Sequence, residues 1–291
     1  MEALEPTSRS YLRTLLVLGR ASNLPTVWSN CLAGWFLGEG GSFSGFVLLC
    51  IGATCLYTGG MYLNDAFDVE FDRQHRPERP IPSGAIGLGE VWGFGAGWLV
   101  IGTVLLAMFG IETAILTILL VISILLYDLV HKAIAFSPFL MALCRFFLFL
   151  VAASASDLGV TGLAIWSAFA LAAYIVGLSY VAKSESTWGP LKYWPCLLLL
   201  VPVVLAYLVN KGPYKPIGMI FSVTLVVWVV RNLSFTFWSG DKNIPRTVSG
   251  LLAGIVLVDL LAVAGGSVEI ALVFMLLFVG ALLFQRFVPA T

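Results

Sequence analysis

Residues 44–72 read SGFVLLCIGATCLYTGGMYLNDAFDVEFD, a largely apolar run that ends abruptly in an amide and three aspartates. A run of that length predicts a membrane-crossing helix, because about 20 apolar residues span a hydrocarbon core. Stepping about 100° per residue from Asn64 puts Asp68 near 40°, Asp72 near 80° and Asp65 near 100°. The four polar side chains therefore share one arc, whereas Glu70 points away. Like charges four residues apart repel by roughly a few tenths of a kcal/mol, and by more where water is scarce, so a cation is expected among them. A hard, oxygen-seeking ion such as Mg²⁺ suits that donor set.

The rest of the chain is written in the same style. It is 59% apolar and 11% charged, where a soluble domain carries about 25% charged residues. Apolar segments fall near 15–38, 44–63, 88–109, 111–131, 135–155, 161–183, 193–210, 217–237, 247–264 and 268–287. They predict an all-α membrane protein, a bundle of nine or ten transmembrane helices in one domain over 1–291. The alternating polarity of a membrane β-barrel is absent. A net charge of zero gives no reason to expect nucleic acid as a partner. His75 and His131 read as loop and interface residues, too few for a histidine-rich metal site. The five cysteines are scattered without a CxxC pair and read as small buried hydrophobes. Glu2 and Glu5, before a segment too long for an h-region, predict a retained first helix rather than a signal peptide. The Gly93 to Gly97 spacing predicts close helix packing.

Lysine and arginine set the orientation. With the N-terminus in the cytoplasm, fourteen of the sixteen basic residues lie on that side, and only Lys211 and Lys215 lie opposite. The aspartates then end at the cytoplasmic face. Behind them runs RQHRPERPIPSG, residues 73–84. Carboxylates that take a divalent ion, beside guanidiniums that grip phosphate oxygens as forks, predict a diphosphate site.

Here the sequence resembles the UbiA family of membrane prenyltransferases. Its N-D-x-x-D-x-x-x-D motif is matched at Asn64, Asp65, Asp68 and Asp72, and R-P-[LI]-P-S-G at Arg79 to Gly84. Tyr127 and Lys132 resemble the family's Tyr and Lys in the next cytoplasmic turn, and Arg20 and Asn23 resemble polar positions of its first helix. The resemblance implies a UbiA-like bundle that transfers a prenyl group from a prenyl diphosphate to an aromatic or other small hydrophobic acceptor. It implies Mg²⁺ on Asn64, Asp65, Asp68 and Asp72, and diphosphate on Arg20, Asn23, Arg76, Arg79 and Lys132. It further implies catalytic roles for Asp68, Tyr127 and Lys132; Lys183 is a catalytic candidate from the departure described next.

The chain departs from the family where a second aspartate-rich motif is expected. Residues 179–187 read SYVAKSEST, with Glu185 as the one carboxylate and Lys183 two residues before it. This resembles an atypical branch, similar to the UbiA-like proteins of ebo gene clusters. Either Glu185 holds a second ion alone, or Lys183 replaces that ion as a fixed charge. In the remaining alternative, a catalytically degenerate protein binds or helps export a lipophilic metabolite. Asp128, Asp259 and Arg145 lie at or within apolar helices, where ionisable groups are costly and need partners. Lys132 or His131 is the expected partner of Asp128, and a Ser, Trp or Arg that of Asp259. Those acids also motivate a transporter reading, which the lack of a repeated half opposes.

Overall fold

Prolines mark where the helices begin. Pro lies in the first turn of the helices that start at Leu24, Ser137, Val201, Lys215 and Ile244. There its fixed φ suits the helix and its missing N–H costs nothing. Other starts are capped by side chains. Ser42 accepts from Gly45 N at 3.1 Å, and Asn243 from Arg246 N at 3.0 Å, each satisfying an otherwise orphan donor.

The computed structural model describes residues 8–132, 134, 136–183, 193–238 and 242–289. The described elements are helical: α1 (Ser8–Leu18), α2 (Leu24–Leu37), α3 (Phe43–Phe67), α4 (Val69–His75), α5 (Leu88–Ala107), α6 (Ile111–Val130), α7 (Ser137–Ser154), α8 (Gly162–Lys183), α9 (Val201–Val209), α10 (Lys215–Phe237), α11 (Ile244–Ala262) and α12 (Val268–Phe284). Among the described residues, seven helices are long and apolar enough to cross a membrane: α3, α5, α6, α7, α8, α10 and α11. Two shorter apolar stretches, Trp194–Val209 and Val268–Phe284, accompany them. The all-α membrane bundle expected from the sequence is the fold observed.

The first apolar segment is not one helix. It breaks at Arg20, whose φ of 42° and ψ of 50° are left-handed, and a turn of 3₁₀ helix leads into α2. The seventh segment likewise opens as 3₁₀ helix over Trp194–Leu200 before α9.

Helices α3 and α5 approach through glycines spaced seven apart on each. A Cβ at Gly59 would lie 2.9 Å from Gly95 O, and one at Gly102 would lie 2.8 Å from Gly52 O. Small residues at such a crossing let backbones touch and dispersion contacts accumulate. Gly93 and Gly97, expected to pack closely, do not: a Cβ at either would meet nothing within 4 Å, and both positions face outward. Helix α11 threads the interior, with every residue from Ala253 to Leu261 buried. Outward faces of α5, α6 and α10 carry exposed Val100, Ile111 and Ile220, as lipid contact requires.

A third packing unit places the site. Leu18, Tyr62, Ala66, Ile81, Ile86 and Val91 are buried together, which fastens α1 and the 76–87 loop over the end of α3. Tyr62 Oη donates to Leu15 O at 3.1 Å. The loop turns on itself through Ser83 N to Arg79 O (2.9 Å) and Ala85 N to Pro80 O (3.0 Å). Gly84 holds φ +77° there, a conformation that glycine adopts without steric penalty.

Candidate functional site

The chain stays right-handed at Asp68 (φ −84°, ψ −3°) between α3 and α4. The polar arc read from the sequence therefore survives the junction. Asn64, Asp65, Asp68 and Asp72 are all buried, whereas the Glu70 side chain is 73% exposed. Four cationic or protonatable side chains converge on the three acids. Arg79 Nη1 lies 3.2 Å from Asp65 Oδ1 and 3.1 Å from Asp72 Oδ2, bridging them. Arg20 Nη2 lies 3.3 Å from Asp65 Oδ1 and donates to Asn64 Oδ1 at 3.4 Å. The left-handed backbone at Arg20 and the pinned 76–87 loop are thus what bring the two guanidiniums to α3. Lys132 Nζ is 2.6 Å from Asp68 Oδ1, and His131 Nε2 is 3.4 Å from Asp68 Oδ2.

Asp68 and His131 perturb each other. Burial pushes the Asp68 carboxyl up, but hydrogen bonds from His131 and Lys132 outweigh it and hold it below its ordinary 3.8. Burial pushes the His131 imidazole down, and its hydrogen bond to Asp68 reverses this, leaving it above 6.5. Its ring stacks on Tyr127 with centroids 4.9 Å apart, and its Nδ1 meets Tyr127 O at 3.1 Å. Lys132 Nζ sits 4.0 Å above the Phe71 ring.

Other residues singled out in the sequence are placed less centrally. Asn23 is buried in the turn before α2, near the Tyr57 hydroxyl. Arg76 is half-buried at the start of the loop and forms no ion pair among the described residues. Lys183 donates to Ile134 O at 2.8 Å and to Ser137 Oγ at 3.0 Å, tying α8 to the turn before α7. Glu185 lies outside the described residues.

Two contributors escaped the sequence reading. His131 read as an interface residue, yet it follows Tyr127 by one helical turn and so shares its face. Asp128 was expected to pair with Lys132 or His131; instead Asn64 Nδ2 donates to its Oδ1 at 3.1 Å. Asp128 Oδ2 is buried with no hydrogen-bond partner among the described residues.

The side chains of Asn64, Asp65, Asp68, Asp72 and Asp128 gather oxygen acceptors at this end, the donor chemistry Mg²⁺ prefers. Among the described residues, no three His, Cys, Asp or Glu side chains are grouped closely enough to cage a metal alone. Arg79 occupies the gap between Asp65 and Asp72, and Lys132 covers Asp68. Mg²⁺ in phosphate sites is held by one or two carboxylates together with phosphate oxygens, so the residues fit an ion shared with a ligand rather than an all-protein cage.

A helical membrane bundle with buried carboxylates and guanidiniums interleaved at the end of one span is the class these features define. Residues 27–186, more than half the chain, match the UbiA prenyltransferase family, and the chain belongs to that family. The digeranylgeranylglyceryl phosphate synthase of Methanocaldococcus jannaschii is 36% identical over 98 residues, 32% of this chain and 34% of that one. The chain spans only about a quarter to two-fifths of the length of the curated relatives it matches. The fold likeness runs further. An apo UbiA homologue from Aeropyrum pernix superposes with TM-score 0.68 over 86% of this chain and 98% of that one, at 13% identity. A UbiA homologue from Archaeoglobus fulgidus bound to GPP and Mg²⁺ superposes with TM-score 0.64 over 94% and 97%, at 16% identity.

Proposed function

We propose that the chain transfers a prenyl group from a prenyl diphosphate to an aromatic or other small hydrophobic acceptor, with its diphosphate site facing the cytoplasm. The observation that carries this reading is the interleaving of Asp65, Asp68 and Asp72 with Arg20, Arg79 and Lys132 at one buried end of α3. The solved homologue with GPP and Mg²⁺ supports the ligand class, and the named synthases support turnover. The bias of lysine and arginine supports the orientation.

Asp68 and Asp72, with Asn64 or Asp128 beside them, would hold Mg²⁺ together with the diphosphate. When bound, the ion neutralises charge on the departing oxygens. Arg79 and Arg20 swing from their carboxylates to the phosphate oxygens, forks that suit a tetrahedral anion better than a point charge. Lys132 adds a fixed positive charge where the leaving group accumulates its own, and His131 holds Asp68 in place for that exchange. Arg76 stands at the loop's entrance as a further phosphate contact. The allylic cation left by ionisation then bonds to the acceptor's electron-rich atom, and the acceptor gives up the proton on that atom to the released diphosphate.

Lys183 serves here as a brace that ties the end of α8 to Ile134 O and to Ser137 at the start of α7. A UbiA relative that binds its ligand without turnover remains the competing reading, favoured by the single carboxylate, Glu185, in residues 179–187. The deciding test is reconstitution of the purified chain with labelled geranyl, farnesyl or geranylgeranyl diphosphate, with and without Mg²⁺ and host lipid extract. Mg²⁺-dependent release of diphosphate that falls by about 100-fold or more in Asp68→Asn supports the enzyme. Saturable binding with no release supports the binding protein, and neither outcome with any donor defeats both.

A further inference from the structure

The apolar stretch of α10 stops at Arg231, and polar positions at Asn232, Ser234 and Thr236 follow it to the helix end. Asn232 and Thr236 turn inward and are buried, whereas Arg231 is exposed on the outer face. It stands about 9 Å of helix before the end at Phe237. A charged side chain at that depth of a membrane span is costly and calls for a partner. Arg231 sits over the Trp228 ring, 5.4 Å from its centroid, and its side chain forms no ion pair or hydrogen bond among the described residues. Trp228 is itself held by donation from its Nε1 to Gly250 O at 2.8 Å.

Arg231 heads a groove of about 350 Å³ on the outside of the bundle, formed where α10 and α12 flank α11. Leu257 of α11, 3% exposed, is its floor. Beside it Trp228 and Phe278 meet edge to face, with ring centroids 4.9 Å apart. Val223, Val227 and Met275 are its outer walls, 61%, 60% and 41% exposed. Val223, Val227 and Arg231 are spaced four apart and so share one stripe of α10. That stripe extends the groove about 12 Å from the guanidinium, back along the apolar part of the helix.

We propose that this groove holds one anionic phospholipid, with its phosphate on Arg231 and an acyl chain laid along Val227 and Val223. A guanidinium offers a fork of N–H donors that matches phosphate oxygens, and basic pockets between membrane helices take acidic headgroups for that reason. The one hydroxyl in the groove, on Thr224, is spent on Ile220 O at 2.9 Å, so the channel suits a hydrocarbon chain. The headgroup's net charge is selected by its neighbours. Arg246 in the first turn of α11 and Arg286 just past α12 stand at the same end, which Gln285 Nε2 ties together by donating to Ser249 O at 3.0 Å. Among the described residues from 193 onward, no carboxylate is there to receive an ammonium. Asp259 is fully buried and hydrogen-bonded to Ser29 and Asn30, with Arg145 beyond Asn30, and Glu269 begins α12 at the opposite end. A zwitterionic lipid therefore sets its cation against cations, and free phosphate makes no use of the apolar channel. The site stands apart from the diphosphate chemistry and does not depend on it.

The test is native mass spectrometry of the full chain, delipidated in detergent and given dioleoylphosphatidylglycerol and dioleoylphosphatidylcholine in equal amounts. The first lipid retained by the wild type is expected to favour phosphatidylglycerol by about fivefold. Arg231→Gln brings that preference toward parity, and Arg231→Lys restores part of it. Arg286→Gln removes an exposed arginine at the same end that does not line the groove, and leaves the preference as it was. Val227→Trp fills the groove from its exposed wall and removes the retained phosphatidylglycerol although Arg231 is intact. Glycerol 3-phosphate in excess, a head without a chain, does not displace the lipid. No preference in the wild type, a preference that survives Arg231→Gln or Val227→Trp, an equal loss in Arg286→Gln, or displacement by glycerol 3-phosphate overturns the proposal.

Discussion

Replacing Arg79 by methionine removes the group that bridges Asp65 and Asp72. Those carboxylates have side-chain exposures of 9% and 3%, and Arg79 itself 18%, so solvent screens the pair poorly. Removing one partner of a buried ion pair costs about 3–5 kcal/mol, chiefly because the survivors are left uncompensated. Arg20 still reaches Asp65 at 3.3 Å, which puts the expected loss near the lower figure, about 3 kcal/mol. The same loss makes the vacated acids a better cation site. Mg²⁺ alone should therefore stabilise Arg79→Met more than it stabilises the wild type, since an ion that binds only the folded state adds RT ln(1 + [L]/Kd). Equilibrium unfolding in mixed micelles, across a Mg²⁺ series without any diphosphate, measures both effects. Arg79 reaches both acids through the one nitrogen Nη1, so Arg79→Lys, which keeps a charge but offers it on a shorter, unforked head, should fall between the two. The reasoning is refuted if Arg79→Met unfolds within about 0.5 kcal/mol of the wild type, or if Mg²⁺ shifts both proteins equally.

Gly34→Ala places a methyl 2.5 Å from Phe149 O and 2.9 Å from Ala152 Cβ; backbone cannot yield there, so about 1–3 kcal/mol should be lost in the same unfolding assay. Arg145→Met leaves Asp259 and Asn30 without their cation and should cost about 3–5 kcal/mol, whereas the double replacement Arg145→Met with Asp259→Leu should recover a good part of it. The His131–Asp68 interaction has a defined pH window. Asp68, lowered in the folded state, contributes above its ordinary 3.8 and loses that contribution as pH falls through its folded value. His131, raised in the folded state, contributes fully below 6.5 and loses it as pH rises through its folded value. The stability difference between wild type and His131→Gln should thus be greatest between those two values and shrink on either side, and a difference flat from pH 4.5 to 9 would contradict the pair.

The polar arc across the end of α3 and the start of α4 was legible because a membrane helix exposes its period plainly: four polar side chains within about 100° stand out against an apolar field. Its partners were partly legible. Arg79 lies in a short sequence with the acids, and loop closure over seven residues leaves it few other places to be. Arg20 reaches Asn64 and Asp65 only because the backbone turns left-handed at that residue, which composition does not announce. His131 and Asp128 were misjudged for a related reason: partner choice depended on the lateral placement of α6 against α3, a tertiary matter. Gly93 and Gly97 had the spacing for packing but the wrong face, and Gly95 with Gly102 carries the contact instead. The Ser29–Asn30–Asp259–Arg145 network joins α2, α11 and α7 across more than a hundred positions of sequence, so only the cost of burying its charges was readable beforehand.

Electron–nuclear double resonance on the chain loaded with Mn²⁺ and geranylgeranyl diphosphate addresses the central claim most directly. A divalent ion shared by Asp68, Asp72 and the ligand gives resolved ³¹P couplings, and the bound signal is lost in Asp68→Ala combined with Asp72→Ala. Mn²⁺ that stays free beside the wild type, or ³¹P couplings untouched by loss of both acids, contradicts it.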